Sequence, residues 1–184
     1  MSTPTPDTGV RRARPDDAQA VGAVHAASWL ADYTELLPRR AASVDAAALA
    51  ASWQQAITAP PTAMHRVMVA TAGTDVVGFV AFGPSADGDA DLAADAEVVA
   101  LLVDPGAQRR GHGSRLLNAT VDTLREQGAA RVRMWVPEVD QPRLAFVQGA
   151  GFAPDGAARV LDAAGDGTTT VREVRLSAAI TPER

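Results

Sequence analysis

The sequence predicts a single α+β domain built as one mixed sheet with helices packed against it. Three observations point there. Segments of helical and strand period interleave in the order βααβββαβαββ, with no internal repeat and no linker between them. A strand over 97–103, a helix after Gly113 and a strand over 131–136 follow closely on one another, which sets two parallel strands across a helical crossover. The chain has 184 residues, 47% of them hydrophobic, which suits one core of ordinary size.

Taken in order, residues 1–9 read as a flexible tail and 10–184 as the domain. Val10–Arg14 is a short first strand. Asp16, with Gln19 three residues on, forms a capping box for a helix that turns Val21, Val24, Ala27 and Leu30 inward. After the Leu36-Leu37-Pro38 break, Ser43 starts a second helix with Leu49, Trp53 and Ile57 at fourfold spacing, and Pro60-Pro61 ends it. Val67–Thr71 and Val76–Phe82 read as a hairpin around Ala72-Gly73-Thr74-Asp75. A polar loop over Ser85–Asp95 leads into the central strand Glu97–Val103. The next helix sets Leu116, Leu117, Thr120, Val121 and Leu124 on one face and stops at Gly128. Arg131–Val136 is the strand that follows, and Pro142–Gln148 is a short helix closed by Gly149 to Gly151. Arg159–Asp162 and Thr169–Leu176 form a last hairpin around Ala164-Gly165-Asp166-Gly167.

The central strand empties into Gln108-Arg109-Arg110-Gly111-His112-Gly113, a Q-x-x-G-x-G run that opens a helix. Its glycines let the backbone approach a ligand where a Cβ would collide. The unpaired N–H groups of the helix that follows carry the positive end of its macrodipole, which favours a diphosphate. Arg109 and Arg110 add charge-assisted donors. A Walker loop is excluded, because the chain holds no lysine and all 17 basic residues are arginine. A dinucleotide fingerprint is excluded too, because its third glycine would fall on Leu116.

Composition narrows the chemistry further. There is no cysteine, so disulfides, thiolate metal sites and a cysteine nucleophile are ruled out. A net charge of −5 and the lack of a basic cluster beyond Arg109-Arg110 speak against nucleic acid. The start of the chain lacks the features of a signal peptide and no apolar run reaches membrane-spanning length, so the expectation is a cytoplasmic protein away from membranes. Asp87-Gly88-Asp89-Ala90-Asp91 looks like a calcium loop, but Leu92 and Val98 stand where the glycine and glutamate belong. No metal is expected. The loop reads as solvated and acidic, or as a rim that attracts a cationic acceptor.

Val103-Asp104-Pro105, Gln108 to Gly113 and Ser114-Arg115-Leu116-Leu117, with Gly151-Phe152 further on, resemble the GNAT superfamily of acyl-CoA-dependent N-acetyltransferases. The resemblance covers roughly residues 10 to 176. It implies a mixed sheet of six to seven strands with helices on both faces and a central parallel pair splayed for CoA. It implies acetyl-CoA as cosubstrate, with the diphosphate on Gln108, Arg109, Arg110, Gly111, His112, Gly113 and Ser114, and the pantetheine arm along Leu101, Leu102 and Val103. The acceptor would be an amine-bearing small molecule or a protein N-terminus, and relatives allow a homodimer built on the late strands.

Candidates for proton chemistry are few. Glu97, fourteen residues before Gly111, matches a position where several relatives carry a glutamate base. Partial burial among Val98, Val99 and Ala100 would raise its proton affinity, as amine deprotonation requires. Where many relatives have Phe-Tyr, with tyrosine as the acid for the leaving thiolate, this chain has Phe146-Val147. Asp140 aligns with the family's CoA-contacting asparagine and lacks its N–H donor. Tyr33, the only tyrosine, is either the replacement acid or an anchor packing on Trp29. Direct transfer in a ternary complex fits these residues, and an acyl-CoA-binding module without catalysis is the alternative.

Overall fold

Alternating side chains give the sheet two faces, and each is buried by different partners. In the computed structural model, which describes residues 8–34, 44–162 and 170–180, the strands are β1 (Thr8–Arg12), β2 (Arg66–Ala72), β3 (Asp75–Pro84), β4 (Asp95–Val103), β5 (Arg131–Pro137), β6 (Ala153–Asp162) and β7 (Thr170–Ala179). They lie in the order β1-β2-β3-β4-β5-β7-β6, antiparallel throughout except for β4 beside β5. The helices are α1 (Ala18–Tyr33), α2 (Ala46–Thr58), α3 (His112–Glu126) and α4 (Gln141–Gly149). No helix among the described residues is long and apolar enough to cross a membrane.

On one face Val80, Phe82, Ala96, Val98, Val132, Met134, Val136 and Leu176 meet Leu116, Leu117 and Leu124 of α3 and Val147 of α4. On the other, Val67, Val69, Phe79 and Ala81 meet Val21 and Val24 of α1 and Trp53 of α2. Gly22 makes the crossing of α1 and α2 possible, since a Cβ there would stand 2.6 Å from the Ala50 nitrogen. His25 accepts the Trp53 indole N–H at 3.1 Å, which ties the same two helices together.

Several boundaries differ from the sequence reading, each for a local reason. β1 takes in Thr8 and Gly9, paired with Ala72 and Thr71, in place of the end of the expected tail. Pro15 nucleates a 3-10 turn, Pro15–Asp17, ahead of α1, so Asp17 does the work expected of Asp16. It accepts the Arg14 N–H at 2.6 Å and both arms of the Arg11 guanidinium. Asp45 caps α2, accepting from Ala47 and Ala48 N–H; the expected start at Ser43 lies outside the described residues. Leu30 is exposed, the inward position of that turn being taken by Ser28. β6 begins at Ala153 rather than Arg159, because Pro154-Asp155-Gly156 forms an irregularity in an edge strand instead of ending it. β7 runs on to Ala179 to match the whole of β5, and the turn expected at 164–167 lies outside the described residues.

Candidate active site

The site is made by two strands that part. β4 and β5 pair only from Asp95↔Arg131 to Val98↔Met134. Val98 faces Phe82 and Ala100 faces Ala81 across β3, so Val99 is an extra residue in β4. Such a bulge bends the strand that carries it, and β4 turns away from β5 at that point. The gap is a cavity of about 690 Å³, lined by 98–103 on one side and by Met134, Trp135 and α4 on the other. Main-chain groups of β4 beyond Val98 have no strand partner on the β5 side among the described residues. The Val103 carbonyl is an exception to the expected free edge, since it accepts from Ser28 Oγ at 3.2 Å and Gln108 Nε2 at 3.3 Å.

At the end of β4 the chain folds into a cradle. Asp104 Oδ1 accepts the Gly106 N–H at 2.8 Å and sets a short 3-10 turn, Pro105–Ala107. Arg109 (φ +62°) and Gly111 (φ +81°) are both left-handed, and Gly111 is the N-cap of α3. A β-branched residue is strained in that conformation, so glycine at 111 is a backbone requirement. Gln108, Arg109, Gly111, His112, Gly113 and Ser114 line the cavity, whereas Arg110 does not. Arg115 braces the loop by donating to the Arg110 carbonyl at 3.0 Å and meeting His112 Nδ1 at 3.3 Å. The His112 ring is buried, and burial with the nearby Arg115 and Arg110 charges lowers its pKa. It therefore serves as a neutral prop under the loop.

The opposite wall comes from α4. Asp140 caps it, accepting the Arg143 N–H at 3.0 Å and the Arg143 side chain at 3.1 Å. Arg143 also reaches Asp32 of α1 at 3.2 Å, joining the two sides of the cleft. Burial, with Asp140 adding and Arg143 opposing, raises the pKa of Asp32. Phe146 lines the cavity while Val147 is wholly buried in the core beneath it. A splayed parallel pair that opens onto a left-handed glycine cradle at a helix N-terminus sets unpaired main-chain donors where an anionic group is favoured.

The model of the acetyltransferase (GNAT) family matches residues 26–152. The chain belongs to that family. A stretch of 62 residues is 40% identical to mycothiol acetyltransferase of Beutenbergia cavernae, covering 34% of this chain and 21% of that enzyme. Among solved structures, an N-acetyltransferase from Staphylococcus aureus Mu50 superposes with a TM-score of 0.73 at 14% identity, over 95% of this chain and 99% of its own. YncA from Salmonella typhimurium, solved with its cofactor acetyl-CoA, gives 0.70 at 16% identity over 96% and 95%. The ribosomal-protein-S18-alanine N-acetyltransferase from Escherichia coli gives 0.65 at 17% over 97% of each. At these identities the structural likeness is one of fold.

In this GNAT chain Glu97, considered for proton chemistry, stands apart from the cradle. Glu97 lies two residues before the bulge, on the sheet face away from α3, and is not part of the cavity wall described above. Its carboxyl is half-buried, 3.5 Å from Ser85 Oγ. Burial first and Asp87 second raise its pKa, against Arg159, the Ala86 N–H and Ser85. Tyr33 closes α1, and its side chain lies outside the described structure.

The 87–91 loop is exposed at Gly88, Asp89 and Asp91, as expected, but two of its acids are also paired with arginines. Asp89 accepts from Arg133 at 2.9 Å and from Arg175 at 2.7 Å, and Asp87 accepts from Arg175 at 2.9 Å. Arg133 and Arg175 are themselves buried, so the charges of Asp87 and Asp89 are offset from beneath, while Asp91 stays exposed. Ser28, Asp32, Trp135, Pro142 and Arg143 also line the cavity and escaped the sequence reading. For Trp135 a signal existed. Arg131, Arg133 and Trp135 alternate with Val132, Met134 and Val136, which marks a second face needing its own cover.

Proposed function

We propose that the chain transfers an acetyl group from acetyl-CoA to a primary amine by direct attack in a ternary complex. The observation that carries this reading is the cleft itself, in which the free edge of β4 runs straight into the cradle 108–114. Acetyl-CoA supplies the activated acetyl thioester. The α3 amides and Arg109 hold its diphosphate, and the β4 main chain at 101–102 pairs with the arm. N–H groups at the bulge polarise the thioester carbonyl, an oxyanion-hole role that needs no particular side chain.

Glu97 takes the amine proton, through water where it does not touch the amine directly, and its raised proton affinity suits the task. Asp140, already committed to Arg143, shapes α4 rather than offering a free carboxylate to CoA. For the thiolate, Val147 has no proton to give, so it leaves into water or is protonated by Tyr33. Tyr33→Phe separates these, slowing turnover only in the second case. The acceptor belongs to the range set by relatives named for mycothiol and for a ribosomal-protein alanine, that is, a small amine or a protein N-terminus.

The test is a thiol-release screen with acetyl-CoA against a panel of small amines and N-terminal peptides, with mass spectrometry of the product. An acetylated amine is the expected result. CoA binding without thiol release from any amine would favour the binding-module reading, which the absence of a hydroxyl at Val147 keeps open.

A further inference from the structure

On the sheet face away from α3, side chains from β4 to β7 converge on the loop that follows β3. Ser85 is buried; its N–H donates to the Asp95 carbonyl at 2.9 Å and its hydroxyl lies 3.5 Å from Glu97 Oε2. The Asp87 N–H donates back to that hydroxyl at 3.4 Å. The Asp87 carboxylate accepts the Trp135 indole N–H at 3.2 Å and Arg175 Nη1 at 2.9 Å. Trp135 is covered by the Arg159 guanidinium, 4.3 Å from the ring centroid, and lines the cavity where β4 and β5 part.

We propose that Asp87 is a positioning residue for the acceptor end of the cleft, coupling the Trp135 wall to the Glu97 carboxyl through one loop. This rests on the reading of Glu97 as proton acceptor. The charges around Glu97 divide clearly. Arg133, its register partner on β5, is bound to Asp89 and Asp95 and stands 3.7 Å from Asp87, and Arg175 on β7 is bound to Asp87, Asp89 and Asp155. Asp87 from the loop raises the proton affinity of Glu97, and Arg159 from β6 lowers it. Asp87 thus strengthens the base while the same carboxylate fixes a ring that lines the cavity.

The experiment is a carboxyl-carbon NMR titration of the full chain labelled at glutamate, with the Glu97 signal assigned by its loss in Glu97→Gln. Asp87→Asn keeps an oxygen for the indole and removes the charge. The Glu97 midpoint should fall by roughly half to one pH unit, and the acid limb of kcat/KM should move with it. Arg159→Gln should move the midpoint the other way, and it serves as a second variant should Asp87→Asn fail to fold. A midpoint unchanged in either folded variant overturns the proposal. If Glu97→Gln keeps full thiol release from acetyl-CoA with the best amine of the panel while Asp87→Asn still shifts the midpoint, the base reading falls and the coupling stands.

Discussion

At the cradle the molecule offers backbone, and around the 85–97 segment, behind the cleft wall, it offers side chains held by ion pairs. The cradle 108–114 is built from two left-handed residues and a helix N-terminus, and Arg115 and His112 brace it from behind. The cluster around 85–97 is built from Asp87, Asp89, Asp95, Arg133 and Arg175, which come from a loop and three strands. The first is a local structure that a short sequence run can specify. The second exists only once the sheet has formed, so its parts should fail together when one is removed, whereas the cradle should fail alone.

The largest effect should therefore come from Asp95. Its carboxylate is fully buried between Arg131 at 2.8 Å and Arg133 at 2.7 Å. Asp95→Ala leaves Arg133 without that buried partner, and breaking such a pair costs about 3–5 kcal/mol, measurable by chemical denaturation. pH should act in the same place. The pKa of Asp95 is lowered, as burial is outweighed by Arg131, the Asp91 N–H and Arg133. The Arg175 bond does the same for Asp89, and the Arg11 bond for Asp17. A depressed folded-state pKa means that the unfolded chain binds protons first. Stability should hold above about pH 4, the unfolded carboxylate value, and drop as pH falls below it, read as a falling Tm.

Next is Glu97→Gln, which should cut turnover by about 100-fold or more, the usual worth of a positioned proton acceptor, with CoA affinity unchanged. A parallel loss of CoA binding would join the two regions and break the comparison. Smaller again is the split between the loop arginines. Arg109 lines the cavity and Arg110 does not, so Arg109→Ala should weaken CoA about tenfold, as loss of one charge-assisted contact does. Arg110→Ala should change little, and equal losses in calorimetry would mean a diffuse field instead of a directed contact.

The two regions also differ in how far the sequence exposes them. Gln108 to Ser114 could be read directly, because glycine spacing after an apolar strand encodes a backbone shape. The helix α3 followed from local periodicity, whereas the order of strands in the sheet did not, since periodicity marks elements and not their neighbours. The splay needed the bulge at Val99, which no residue type announces, since a bulge there depends on how β4 registers against β3. Asp87 and Asp89 looked like a solvated loop because their arginine partners lie 44 to 88 positions away in sequence. β6 was cut short for a similar reason, Pro154 and Gly156 being breakers that an edge strand tolerates. Val147 was legible as a missing phenol, but its complete burial belongs to tertiary packing.

The central claim, that a main-chain cradle at 108–114 holds the diphosphate of CoA, is tested most directly by calorimetric titration of CoA into wild type and Gly111→Val. Valine is strained at φ +81° and its branches occupy the space beside Arg115. The expected result is a fold that melts close to wild type, with CoA affinity reduced about tenfold or more, as misplacing several N–H donors requires. Wild-type affinity in a folded Gly111→Val protein would contradict the account.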